Sequence, residues 1–165
     1  MPLPTRTVLL LGGNIDDPPV MLDAATERIA ARIGPVLARS RSHWTQAWSM
    51  NDAPDFLNIA LLVETTMPAR EVLDACLSIE RDLGRERMAG AGYRSRAIDI
   101  DLLFHGDQVI NTPGITIPHP RLHERYFALA PAADIVPQSV HPGLGLRVMD
   151  LLSAVIEKEK SPRTA

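Results

Sequence analysis

The run Ile98-Asp99-Ile100-Asp101-Leu102-Leu103-Phe104 narrows what this 165-residue chain can fold into more than any other stretch. Its β-branched and apolar content reads as a strand. Side chains alternate faces along a strand, so Asp99 and Asp101 share one face. Ile98, Ile100, Leu102 and Phe104 take the other, toward a core. The chain therefore builds a sheet with a packed face and a face that tolerates charge at this point. Two carboxylates about 7 Å apart, at ~3.3 Å of rise per residue, can share a pair of hard cations. Arg94 and Arg96 stand just before the run. They would repel a metal unless an anion came with it, so the combination points to metal–phosphate chemistry. On spacing alone, two solvated acids on an exposed strand face explain the pattern equally well.

Length and composition set modest bounds. A chain of 165 residues predicts one domain spanning 1–165, large enough for a real core. Its 45% hydrophobic and 22% charged content is ordinary for a globular protein. A net charge of -3 argues against nucleic-acid and anionic-membrane partners. Cys76 is the single cysteine, so no intrachain disulfide can form. It falls on the apolar stripe of a predicted helix, which suits inert packing. The apolar run Val8–Leu11 is too short for a signal segment or a membrane span, and the expectation is a cytoplasmic protein.

Strand and helix patterns alternate. Thr7 to Leu11 reads as a short buried strand closed by Gly12-Gly13-Asn14. Asp17-Pro18 supplies an N-cap and a proline at the first helical position. Leu22, Ala25, Ile29 and Ile33 recur at helical spacing, and Gly34 ends that helix. Val36 to Ser42 is a candidate strand, with a continuation through Trp44. Residues 45 to 54 read as a loop. Phe56 to Thr65 is a long apolar strand, and Thr66 to Leu83 a second helix.

Arg85 to Arg96 holds four arginines, Arg85, Arg87, Arg94 and Arg96, with glycines between, and reads as a mobile basic loop. After the acidic strand, His105-Gly106-Asp107 predicts a turn into a short strand Gln108 to Ile110, a hairpin. Residues 111 to 147 look proline-rich and irregular, with short strands or helical turns. A last helix is expected over about Val148 to Lys158, before a disordered tail over 160–165. The order of elements fits an α+β, ferredoxin-like βαββαβ core, a mainly antiparallel sheet with helices on one face.

Four segments then fall in order: Leu11-Gly12-Gly13-Asn14; Pro54-Asp55-Phe56-Leu57-Asn58; Asp99 to Phe104; and Val109-Ile110-Asn111-Thr112 with Ile117-Pro118-His119-Pro120. Together they resemble the 6-hydroxymethyl-7,8-dihydropterin pyrophosphokinase family of folate biosynthesis, from about Val8 to Pro137 and beyond. The resemblance implies transfer of a pyrophosphoryl group from ATP to the pterin hydroxymethyl group, with release of AMP. It implies two magnesium ions on Asp99 and Asp101, and a catalytic set of Arg85, Arg96, Asp99 and Asp101. Arg87, Ile98, His119 and Arg125 are implied for ATP. Thr45, Trp48, Phe56, Asn58 and Phe127 are implied for the pterin. The partners are then small molecules, with no nucleic acid and no membrane, and the protein a monomer.

The chemistry of these residue types agrees with those roles. Magnesium takes carboxylates, phosphate oxygens and water. Arginine grips phosphate through paired donors. An amide meets the donor and acceptor of a pterin edge, and a phenylalanine stacks on the ring. The chain departs from the family at Gln46-Ala47-Trp48-Ser49, where prolines and a glycine are usual, and at Arg94-Ser95-Arg96, where Gly-Pro-Arg is usual. Two alternatives stay open: a divergent relative that binds ATP and magnesium with another hydroxylated heterocycle, and a non-catalytic ferredoxin-like module. An aromatic content of 4% and the negative charge weigh against the second as an RNA binder.

Overall fold

A computed structural model describes residues 2–45, 55–91 and 98–160, over 85–91 by its backbone alone. β1 (Thr5–Gly13), β2 (Val36–Arg39), β3 (His43–Thr45), β4 (Phe56–Thr65) and β5 (Asp99–His105) form one sheet. Its order is β2-β4-β1-β5, with β3 also paired to β4, and every pairing is antiparallel. With helices α1 (Pro18–Arg32) and α2 (Ala69–Ala91) between strands, this is the split βαββαβ arrangement. β6 (Ile110–Thr112) and β7 (Ile115–Ile117) make a separate hairpin. A 3-10 turn (Leu122–Glu124), α3 (Tyr126–Ile135) and α4 (Val148–Lys160) follow.

Strand alternation sorts the central apolar residues onto two faces. Leu9 and Leu11 of β1, Leu57, Ile59, Leu61 and Val63 of β4, and Ile100 and Leu102 of β5 pack against α1 and α2. Val8, Leu10 and Leu62 face the other way, toward α3 and α4. Helices therefore cover both faces, where the sequence pattern had placed them on one. The acidic strand departs from strict alternation as well. Leu9 pairs with Leu102 but Val8 with Phe104, a one-residue slip at Leu103. This bulge turns Phe104 onto the α3–α4 face, away from Ile98, Ile100 and Leu102.

α1 begins as read: the Asp17 carboxylate accepts from Val20 N–H at 3.3 Å, with Pro18 at the first helical position. A side chain at Gly34 would collide with the Glu64 carbonyl, so this helix end needs glycine. α2 runs past Gly84 to Ala91, so 85–91 is helix, not loop. Gly84 does not interrupt it because Arg-Glu-Arg-Met-Ala beyond are good helix formers. Residues 92–97, including Arg94 and Arg96, lie outside the described residues, as do 46–54 and 161–165. The predicted β5–β6 hairpin does not form: β6 pairs with β7 across Pro113-Gly114, with Gly114 at φ +85°. The irregular stretch contains α3, masked in the sequence by Pro131 inside it. Its Ala128-Leu129-Ala130-Pro131-Ala132 core is buried all round.

Candidate active site

The sheet register assembles the predicted residues on one face. In one cross-strand row, His43 pairs with Asn58, Asn58 with Gly12 and Gly12 with Asp99. In the next row Leu10 sits beside Asp101. One step the other way, Thr45 pairs with Phe56. At about 4.8 Å per strand, Asn58 and Asp99 stand about 10 Å apart across Gly12. Gly12 keeps that space clear: a Cβ there would lie 2.5 Å from Asn58 Oδ1. Asn58 is 6% exposed and Phe56 37%.

α3 crosses this face against β4, touching β1 and β3 as well. It presents Phe127 at its N-terminal end, 37% exposed, with the Arg125 guanidinium 5.5 Å from the ring centroid. On the far side of the aspartates, a cleft of about 360 Å³ opens between β5 and β7. Leu73, Ile100, Asp101, Leu102, Ile117 and His119 are among its lining residues. Burial, then the positive charge of Arg125, holds the His119 imidazole below its usual pKa, with Asp101 opposing. His119 is thus a neutral hydrogen-bonding group beside a carboxylate. Between the two aspartates, Ile100 N–H donates to Glu80 of α2 at 2.7 Å. That bond pins the edge strand carrying the acid pair.

The donor set fits magnesium. Asp99 and Asp101 offer hard carboxylate oxygens from one face. Among the described residues no three His, Cys, Asp or Glu side chains gather into a metal cage. Magnesium characteristically takes one or two carboxylates and completes its shell with phosphate and water. The local field is negative: burial, Glu80 and Asp101 push the Cys76 thiol up to about 12. Cys76 is accordingly an inert core residue.

Asp99, Asp101, Asn58, Thr45 and Phe56 thus share the face that α3 crosses, with His119 in the adjoining cleft and Arg125 beside Phe127. Ile98 is 2% exposed in the α1–α2 core, and Ile100 and Leu102 line the cleft. Arg85 and Arg87 lie on the last turns of α2, described by their backbone only. Trp48 and Arg96 lie outside the described residues. The parts that sequence reasoning missed are Glu80, the space-keeping role of Gly12 and the apolar wall from Leu73 and Ile117. Gly12 and Ile117 had drawn notice only as members of the Leu-Gly-Gly-Asn and Ile-Pro-His-Pro segments.

A family model described as 7,8-dihydro-6-hydroxymethylpterin-pyrophosphokinase (HPPK) matches residues 8–137. The chain belongs to the HPPK family. The 2-amino-4-hydroxy-6-hydroxymethyldihydropteridine pyrophosphokinase of Methylorubrum extorquens is 40% identical over 144 residues, 87% of this chain and 90% of that protein. The enzyme of the same name from Porphyromonas gingivalis is 34% identical over 136 residues, 81% and 92% of the two chains. Among solved structures, Plasmodium falciparum HPPK-DHPS matches with a TM-score of 0.74 at 15% identity. That match covers 97% of this chain and 46% of the fused chain, and it shows the HPPK fold alone. None of the described helices is long and apolar enough to cross a membrane.

Proposed function

We propose that this protein transfers the β,γ-pyrophosphoryl group of ATP to the hydroxymethyl oxygen of 6-hydroxymethyl-7,8-dihydropterin. That oxygen forms a bond to the β-phosphorus, the bond from the β-phosphorus to the α,β-bridging oxygen breaks, the hydroxyl proton is lost, and AMP leaves. Family membership supports the reaction. The observation that carries it to these residues is the row Asn58–Gly12–Asp99, with Asp101 and the His119 cleft beside it.

In this reading the pterin lies on the Asn58 side and the nucleotide in the cleft. Asn58 presents a donor and an acceptor to the heterocycle edge. Phe127 and Phe56 stack on its faces, Thr45 lies on the same side, and Trp48 is assigned to the pterin as well. Leu73, Ile100, Leu102 and Ile117 give the nucleotide an apolar bed. His119, Arg125, Arg85, Arg87 and Arg96 bind phosphate oxygens, the arginines through paired donors. Asp99 and Asp101 would hold two magnesium ions, which would supply charge neutralisation at the phosphates. No protein nucleophile takes part. ATP as donor, and a lone buried cysteine, support a cytoplasmic setting. We assign a monomer of one domain.

Product analysis tests the reaction. AMP should form one-for-one with the pterin pyrophosphate, and ADP should not accumulate. Asp99→Asn and Asp101→Asn should each lower turnover by about 10²-fold or more while folding is kept. ADP as the nucleotide product overturns the pyrophosphoryl reading. Magnesium-dependent ATP binding without any affinity for the reduced pterin would point to a different hydroxylated heterocycle.

A further inference from the structure

A hydrogen-bonded cluster away from the reacting groups ties the two sides of the pterin region together. Asp134 lies near the C-terminal end of α3, its carboxylate 15% exposed. Oδ1 accepts from Arg41 Nη2 at 2.9 Å. Oδ2 accepts from the Arg41 backbone N–H at 3.1 Å and from Arg41 Nε at 3.2 Å. Oδ2 also lies 2.8 Å from His43 Nε2. The Arg41 hydrogen bonds, joined by that of His43, outweigh burial and draw the Asp134 carboxyl down to about 2. An ionised carboxylate only accepts, so His43 Nε2 carries the proton and donates. Arg41 and His43 sit on the chain entering β3, and Asp134 sits 91 residues beyond His43.

His43 is the cross-strand partner of Asn58, with Cβ atoms about 4.5–5.5 Å apart in such pairs. A connected line therefore runs Asp134–His43–Asn58–Gly12–Asp99, from α3 over three strands to the acid pair. The same helix carries Phe127, seven residues earlier, about 10 Å along the axis at 1.5 Å per residue. One carboxylate thus sets β3, with Thr45 and the partner of Asn58, against the helix that presents Phe127.

We propose that Asp134, acting through His43 and Arg41, is a positioning residue for the heterocyclic substrate: it fixes the Asn58 amide relative to the Phe127 ring. Asp134 touches no substrate. This inference rests on the pterin reading above, and its test separates the two. Asp134→Asn keeps the shape and removes the charge. His43→Phe keeps a ring of similar size and removes the donor. Asp134→Glu keeps the charge. Calorimetry is run with ATP–magnesium alone, and with the reduced pterin in the presence of a non-hydrolysable ATP analogue and magnesium. Steady-state kinetics give KM for each substrate.

Asp134→Asn and His43→Phe should each weaken pterin binding and raise its KM by about tenfold. ATP–magnesium binding should stay within about twofold, and Asp134→Glu should recover most of the loss. Should Asp134→Asn fail to fold, His43→Phe decides the matter. A purely structural brace would lower the melting temperature and leave both affinities unchanged, or weaken both alike; either result overturns the proposal. If the unmodified protein binds both substrates and the variants match it, this inference alone falls. If the unmodified protein binds ATP–magnesium and no reduced pterin, the proposed function falls and takes this inference with it.

Discussion

Gly12 shows how one residue governs the candidate site by having no side chain. A Cβ there would lie 2.5 Å from Asn58 Oδ1, closer than any real contact. Gly12→Ala must therefore push the amide aside or shift the strand. Pterin affinity should drop by about 1–3 kcal/mol, the cost of leaving the heterocycle's polar edge unpaired. ATP–magnesium affinity should barely change. Titrating the variant with each ligand checks this, and equal losses would place the damage in the sheet, not in the amide. Buried histidines give a second expectation. Burial first, in each case, holds His105 and His141 below the usual value near 6.5. His105 is 1% exposed, and its Nδ1 has no hydrogen-bond partner. The unfolded chain then binds the extra proton more readily than the folded one. This contribution to stability is present in full above pH 6.5 and is lost as pH falls toward the folded value. The melting temperature should decline from pH 7.5 to 5, less steeply in His105→Leu. Identical slopes in both proteins would assign the acid sensitivity to other groups.

At the scale of elements, α2 overrode its own punctuation. Gly84 reads as a helix end, yet the helix continues to Ala91. A Cβ at Gly84 would meet nothing within 4 Å, and its φ lies outside the left-handed range. Gly84→Ala should raise unfolding stability by about 0.5–1 kcal/mol in a denaturant titration, since alanine restricts the unfolded chain and costs the helix nothing. A loss would show that α2 bends at this point. The acidic strand shows the converse. Period-two alternation was legible up to Leu102, and Phe104 was misplaced because a bulge leaves no mark in the pattern. α3 went unseen because Pro131 argues against a helix interior, at about 3 kcal/mol. Burial of the residues on both sides of it offsets that cost.

For the whole molecule, one sheet serves both cores, with Leu9 and Leu11 in one and Val8 and Leu10 in the other. Losing either helix layer exposes a face of the same strands. Denaturant unfolding should therefore be a single transition, coincident by tryptophan fluorescence and far-UV circular dichroism. Separated midpoints would show that the α3–α4 layer melts first. The site shares this dependence: β1, β4 and β5 set its floor, α3 its roof, and β7 the wall of its cleft.

The sequence by itself determined the strands and helices with clean periodicity, β1, α1, β4 and α4, and the acid pair on one face of β5. It also pointed to the family, because Asp99, Asp101, Asn58 and His119 stand in recognisable local segments. These features depend on neighbours along the chain. Tertiary structure alone decided the rest. The adjacency of Asn58, Gly12 and Asp99 depends on register between strands far apart in sequence, Gly12 pairing with Asn58 on one side and with Asp99 on the other. The helix layer on the second face follows from the apolar burial of α3 around a proline. The Asp134–His43 contact joins residues 91 positions apart. Such contacts arise from packing a sheet between two layers, and no local pattern encodes them.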